Sequence, residues 1–300
     1  MDSRRLRHFL AVYDSGSLGQ AAEEIHLTQP ALSKSIHQLE DELDVQLFER
    51  TPMGVIPTVF GEALSLHARL IQSELRNAKA ELQRLQGTNQ GFVRVGMGPS
   101  SAPYMMPEVT RALHATHDGI RLSVIEGLGG QLIPSVRRGE LDMAVGTWPA
   151  VNEKGLISET LTTDSMCLVV RSQHPLAGTV VNVGMLQDCA WMLPPHPQFW
   201  RERLDQHFFD AGLAAPDPLV VSNSSTYIKQ MLLSEDLVSY LPRQLLKEEI
   251  RGGQIVVLEG DGIKHDIEVT LTYRERAVIT PACREFINLL RETVNRDHAQ

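Results

Sequence analysis

Cysteine is scarce in this chain: Cys167, Cys189 and Cys283 are the only three in 300 residues, and no two stand in a CxxC spacing. That excludes a disulfide framework and a zinc knuckle, and it suits a reducing cytoplasm. Long apolar runs are missing as well. No stretch approaches the roughly 18 residues a membrane span needs. The apolar run behind Arg4, Arg5 and Arg7 covers only Phe9 to Tyr13, too short for a secretory leader. Positive charge is in deficit, with 28 Lys and Arg against 37 Asp and Glu and a net charge of -9. Whole-chain charge still permits a nucleic-acid partner, because binding depends on where the charges lie. Also absent are HExxH, GxSxG and GxxxxGK[ST], so no enzyme, metal site or cofactor is expected. What is present, at 42% hydrophobic and 22% charged residues, is a folded protein about two domains long.

The first 58 residues read as short helices. Leu6, Phe9, Leu10 and Tyr13 recur at helical spacing, and Asp14 to Ser17 breaks the pattern. A second helix covers about Leu18 to Ile25, leaving only His26-Leu27-Thr28 before a third. Thr28 suits the N-cap of that third helix and Pro30 its first turn, while Leu32, Ile36, Leu39 and Leu43 form its inner stripe. Helices joined by so short a turn must cross steeply, which is the helix-turn-helix unit. Glu49 to Pro57 then carries Pro and Gly at turn positions between short extended pieces, the pattern of a small wing. From Val59 to Gln86 there is no Pro. Ala68, Leu75 and Leu82 repeat every seven residues, and Leu64, Ile71, Ala78 and Leu85 repeat three residues out of phase. That heptad seam predicts a dimerising helix, and Gly87 to Gly91 a hinge behind it.

Beyond the hinge the period alternates. Strands are expected at Phe92 to Met97, Arg121 to Ile125, Leu141 to Val145, Met166 to Val170, Leu219 to Val221, Val238 to Leu241 and Ile267 to Tyr273. Helices are expected at Tyr104 to Thr116, Gln131 to Arg138, Trp200 to Ala211, Tyr227 to Leu233 and Pro281 to Val294. Such alternation predicts parallel sheets in two similar α/β lobes, with ligands outside the carboxyl ends of the strands.

A recognition helix reads bases with its N-terminal residues, here Gln29, Pro30, Ser33 and Lys34 behind Thr28. Gln bonds adenine through a paired donor and acceptor, Ser and Lys reach base edges or phosphates, and Pro offers an apolar face to a thymine methyl. Arg4 and Arg50 are candidates to clamp phosphates from the first helix and the wing. Residues 1–58 nevertheless hold five basic against nine acidic side chains, a net of -4. Glu40, Asp41, Glu42 and Asp44 cluster at the far end of the recognition helix, where they are expected to point away from DNA. One head alone should therefore bind weakly, and useful affinity requires several heads on one DNA.

From Ser17 to Glu40, then at Leu47-Phe48-Glu49-Arg50, Thr58 and Gly61, the sequence resembles the LysR-type transcriptional regulators. The similarity continues through Met105-Met106-Pro107, Glu126-Gly127 and Arg138 to Val145. This resemblance implies an α/β fold class with an all-α N-terminal part. Its divisions are a winged helix-turn-helix domain in residues 1–58, a dimerising linker helix in 59–87, a hinge in 88–91 and an effector-binding domain in 92–300. That last domain would resemble a two-lobed periplasmic binding protein, with lobe I at about 92–162 and 267–300 and lobe II at about 163–266. Implied partners are double-stranded promoter DNA, a second copy through the linker helix, a homotetramer, RNA polymerase as a further candidate, and a small effector between the lobes.

The family's effector site maps here onto the loop Gly98 to Ala102, where Ser100 and Ser101 precede a helix whose N-terminus suits an organic anion. Gly129 and Thr147 belong to the same lobe, and His196, Phe199, Asn223 and Ser224 to the other. Two departures stand out. Gly129 replaces a hydroxyl residue found in some aromatic-acid-responsive members, and Ser234 to Pro242 replaces a glycine-rich segment. The alternatives are a ligand-independent or thiol-based regulator and, in a different class, a solute-binding protein. Cys167 in a predicted buried strand and Cys189 without a basic neighbour make poor redox thiols, and a solute-binding protein explains neither head nor heptads.

Overall fold

The computed structural model describes residues 1–85, 91–150, 154–260 and 264–297. In the head, capping chemistry sets each helix boundary. Helix α1 (Ser3–Ser15) starts behind Asp2, whose carboxylate accepts from the Arg4 N–H, and ends at Gly16 with a left-handed φ of 63°. Helix α2 (Leu18–Glu24) starts behind Ser17, whose hydroxyl accepts from the Gln20 N–H, and α3 (Gln29–Leu43) behind Thr28, which accepts from Ala31. Leu6, Phe9, Val12, Ala21, Ala22, Leu32, Ile36 and Leu39 share one core. Strands β1 (Phe48–Thr51) and β2 (Gly54–Pro57) pair antiparallel as the wing.

Two details of this head depart from expectation. The acidic end of α3 is not simply turned outwards: Glu40 is buried, accepting from the peptide N–H groups of Leu47 at 2.8 Å and Phe48 at 3.3 Å. Glu42 pairs with Arg5 and with the N-terminal ammonium. Second, the heptad seam of α4 (Val59–Leu85) divides. Ala68 is buried with Leu64 and Ile71 against the chain's own head, whereas Leu75 (48% exposed) and Leu82 (62%) face solvent. Residues 87–90 of the expected hinge lie outside the described residues, and Gly91 already belongs to the next strand.

The C-terminal domain begins with β3 (Gly91–Met97), α5 (Ala102–Thr116), β4 (Ile120–Glu126), α6 (Gly129–Arg137) and β5 (Met143–Gly146), with β3 parallel to both β4 and β5. A long strand β6 (Leu156–Arg171) then leaves this lobe. The second lobe contains β7 (Val180–Val181), β8 (Met192–Leu193), α7 (Phe199–Asp210), β9 (Val220–Val221), α8 (Ser225–Ser234), β10 (Ser239–Pro242), α9 (Lys247–Arg251), β11 (Ile255–Val257) and β12 (Glu259–Gly260). Strand β13 (His265–Arg274) returns antiparallel along β6 and joins β5, and α10 (Pro281–Asp297) closes the first lobe's core with Phe286, Ile287 and Leu290.

The principal sheet is therefore mixed rather than parallel, and the lobes are unequal. Strands β6 and β13 thread both. Ile267 packs in the second core and Val269 and Leu271 in the first, so the strand passes from one to the other between Ile267 and Val269, and a register shift follows at once between Val269 and Thr270. The N-terminal half of β6 escapes the sequence reading because Ile157 to Ser165 is only partly covered on either face, which erases the period-two signal. Among the described residues, no helix is long and apolar enough to cross a membrane.

Candidate functional site

On the head, Thr28, Gln29, Pro30 and Lys34 are all exposed at the start of α3, and Ser33 is half-buried beside them. Arg50 does not stand off on the wing. Its Nη2 lies 3.4 Å from the Ser33 Oγ and 3.5 Å from the His37 Nε2, so wing and recognition helix present one surface. Arg4 is exposed on the first turn of α1. The wing tip, Pro52 and Met53, carries no charge and is open to solvent, leaving Arg50 as the wing's one cation.

Between the lobes lies a cleft of about 930 Å³, within the range of small-molecule sites. Four helix N-termini border it: Pro99-Ser100 before α5, Leu128 to Gln131 at α6, Gln198 to Trp200 at α7, and Asn223 with Ser225 at α8. Only α8 has a side-chain cap, from the Ser224 hydroxyl to the Tyr227 N–H at 3.3 Å. The other three have none. Each presents roughly half a positive charge at its first turn, the complement of an anion. Helices α6 and α7 add peptide N–H groups there, whereas α5 spends its Ala102 N–H on the Gly98 carbonyl at 3.0 Å and follows it with Pro103, which has none.

The expected cleft residues separate into two groups. Ser100, Gly129, Thr147, His196, Phe199 and Asn223 line the cavity. Ser101 and Ser224 do not. Ser101 is fully buried behind Ser100, its hydroxyl has no hydrogen-bond partner, and it does not cap α5 because its backbone is already helical. Ser224 spends its hydroxyl on α8. His196 is also already partnered: its Nε2 faces Asp205 at 3.1 Å, and Asp205 is held by the buried Arg201 at 2.9 Å.

Two tryptophans were missed. Trp148 fills the floor against α6, so close that a Cβ on Gly129 would stand 3.2–3.3 Å from its side chain. Trp200, at the start of α7, donates its indole N–H across the cleft to the Thr147 carbonyl at 2.7 Å. The available signal was composition: only three tryptophans occur in the chain, and one directly follows the strand-end residue Thr147. With Phe199, Leu193, Ile228 and several prolines they make the walls largely apolar.

The thiols are poor nucleophiles. Burial pushes both Cys167 and Cys283 up to about 12, and burial with the Asp188 charge raises Cys189 too, so little thiolate forms at neutral pH.

A winged helix-turn-helix head, joined by one long helix to a two-lobed domain with an interlobe cleft, is the architecture of a DNA-binding transcriptional regulator. Residues 3–62 match the family model of the bacterial regulatory helix-turn-helix protein, lysR family, and residues 86–295 match the LysR substrate binding domain. The chain belongs to the LysR family of transcriptional regulators. It is 29% identical over 294 residues, 97% of its length and 96% of the relative's, to the uncharacterized HTH-type transcriptional regulator YdcI of Escherichia coli (strain K12). It is 34% identical over 210 residues to the nitrogen assimilation regulatory protein nac of the same organism, covering 69% of this chain and 68% of that one. Similar folds include a full-length OxyR variant from Pseudomonas aeruginosa, with a TM-score of 0.71 at 24% identity over 98% of this chain and 95% of that one. The LysR family regulator CbnR in complex with its target DNA has a TM-score of 0.67 at 20% identity, covering 98% of this chain and 100% of that one.

Proposed function

We propose that this LysR-type regulator binds a small organic anion with an apolar body in the interlobe cleft, and that the ligand adjusts how its heads sit on promoter DNA. The observation that carries the reading is the convergence of three uncapped helix N-termini on a cleft walled by Trp148, Phe199 and Trp200. The helix ends supply charge complementarity; Arg201 and His196 are already engaged by Asp205, and Arg137, at the far end of α6, also lines the cleft. The aromatic and proline walls supply apolar contact area. A ligand acts only through unequal affinity for two lobe arrangements, and the Trp200–Thr147 bond, which spans the cleft, would break if the lobes moved apart. A coupling of about 1–3 kcal/mol suffices for control. The low thiolate content speaks against the thiol-based alternative.

Thermal unfolding of the full chain against small organic anions, each paired with its neutral amide, tests the ligand class. At one hundred times its dissociation constant a true ligand adds about 2.7 kcal/mol to the folded state. We expect an anion, and not its amide, to raise the unfolding temperature, with the shift reduced in Ser100→Ala. Equal shifts from acid and amide would overturn the anionic reading.

For DNA, we propose that Gln29, with Pro30, Ser33 and Lys34, reads bases, that Thr28 positions this helix start, and that Arg4 and Arg50 contact phosphates. Two copies joined along the exposed half of α4, and pairs of such dimers, would bring several heads to one promoter, in reach of RNA polymerase. Gln29→Ala is expected to cost about 1–3 kcal/mol of preference for an operator selected by the wild-type chain, and Arg50→Ala to weaken selected and random duplexes alike. Titrations of both variants on both duplexes decide it. An equal loss on both duplexes for Gln29→Ala would remove its base-reading role.

A further inference from the structure

The linker helix meets both functional units on one side chain. Arg69 of α4, only 17% exposed, contacts Asp14 at the end of α1 through Nη2, and its Nη1 lies 3.4 Å from the second Asp14 oxygen. The same Nη1 stands 3.1 Å from Glu140 Oε1 in the C-terminal domain. Its guanidinium also covers the Tyr13 ring at 5.7 Å, and the Tyr13 hydroxyl donates to Glu62 of α4 at 2.6 Å.

Glu140 is fixed from its own side as well, by a two-pronged bond from Arg138 at 2.8 and 3.0 Å. Burial pushes this carboxyl up, but the hydrogen bonds from Arg138 and Ser135 and the Arg69 and Arg138 charges outweigh it and hold it below the usual range. Between Arg138 and Glu140, Gly139 adopts a left-handed φ of 74°, and a Cβ there would stand 3.1 Å from the Ser73 Cβ of α4. The turn is seated on the linker helix at backbone distance. It is also the C-terminal end of α6, whose first turn borders the cleft.

A pairing of this kind contributes little to stability. Asp14 is half exposed, and ion pairs with a solvent-exposed partner contribute about 0–1 kcal/mol; this arrangement also leaves the Arg69 Nε buried without a partner, which is a cost. Charged networks of low net stability are better explained by the arrangement they select. We propose that Arg69 is a positioning residue that sets the DNA-binding head at one orientation to the C-terminal domain, gripping Asp14 on one side and Glu140 on the other. The positioning role stands whether or not the cleft takes an anion.

The test is a distance measurement on the full chain. Spin labels are placed at exposed Gln20 on the head and exposed Glu292 on α10, with Cys189 replaced by serine and the labelled protein diluted into unlabelled protein. The wild type is expected to give one narrow distance distribution. In Arg69→Met and in Glu140→Gln the distribution broadens by about twofold or moves, as when a rigid link becomes a free hinge. Arg69→Lys, which keeps the charge but replaces the planar fork with a compact ammonium that spans less distance between the two carboxylates, recovers only part of the order. If Arg69→Met fails to fold, Glu140→Gln carries the test from outside the head. An unchanged distribution in the folded variants overturns the proposal, even if they bind DNA less tightly, because Arg69 would then be a structural residue only.

Discussion

Replacing Glu40 by alanine is expected to destabilise the head by about 2–5 kcal/mol and to abolish operator binding at ordinary temperature. The carboxylate is buried in the recognition helix, and it alone accepts from the Leu47 and Phe48 peptide N–H groups where the chain turns into the wing. Its other oxygen takes the ring of His37 at 3.2 Å. Alanine would leave two buried donors without partners, each costing about 1–3 kcal/mol, and would release the wing from α3. Glutamine keeps an acceptor in place and should lose about 1 kcal/mol or less of the head's stability. Calorimetry of the full chain checks both variants: the transition assigned to the head moves in Glu40→Ala, and that of the C-terminal domain stays. A head transition unmoved by Glu40→Ala would show that water satisfies those donors.

The second large effect has a sign opposite to helix propensity. Gly61 sits in the first turn of α4, where alanine ordinarily stabilises a helix by roughly 0.5–1 kcal/mol. Here a Cβ would stand 2.3 Å from the Leu47 carbonyl oxygen and 3.2 Å from the Pro57 Cβ. Backbone cannot yield as a flexible side chain would, so Gly61→Ala is expected to cost about 2–4 kcal/mol net, in the range of severe overpacking. The same Leu47 oxygen accepts from the Thr58 N–H at 3.0 Å, and its N–H is the one Glu40 receives. Both predictions therefore converge on one residue's backbone, the junction of recognition helix, wing and linker. Denaturant unfolding with a head-specific probe checks it, and a neutral or stabilised Gly61→Ala would mean that the linker helix can slide away without loss.

Much of this was legible in the residues. The cap at Thr28, the break at Asp14 to Ser17 and the inner stripe Leu32, Ile36 and Leu39 are short-range chemistry, and each element of the head formed where that chemistry predicts. The longer strands and helices beyond Gly91 were readable too, but the short β7, β8, α9, β11 and β12 were not, nor the half of β6 that crosses between lobes with both faces partly exposed. The functional residues were harder. Ser100 and Ser101 are neighbours of identical chemistry, yet one borders the cleft and the other is sealed behind it. His196 reads as a free loop histidine until the fold sets Asp205 against it.

What the sequence determined by itself is the longer elements, their order and the family they belong to, because capping, periodicity and motif spacing act over a few residues at a time. The tertiary structure alone decided which atoms face which. It split the heptad seam between head and solvent, joined Trp200 to Thr147 across the cleft, and brought Asp14 and Glu140 to the two sides of Arg69. The physical reason is range: these contacts pair residues tens of positions apart, and their geometry is set by how packed elements cross, which no local pattern encodes.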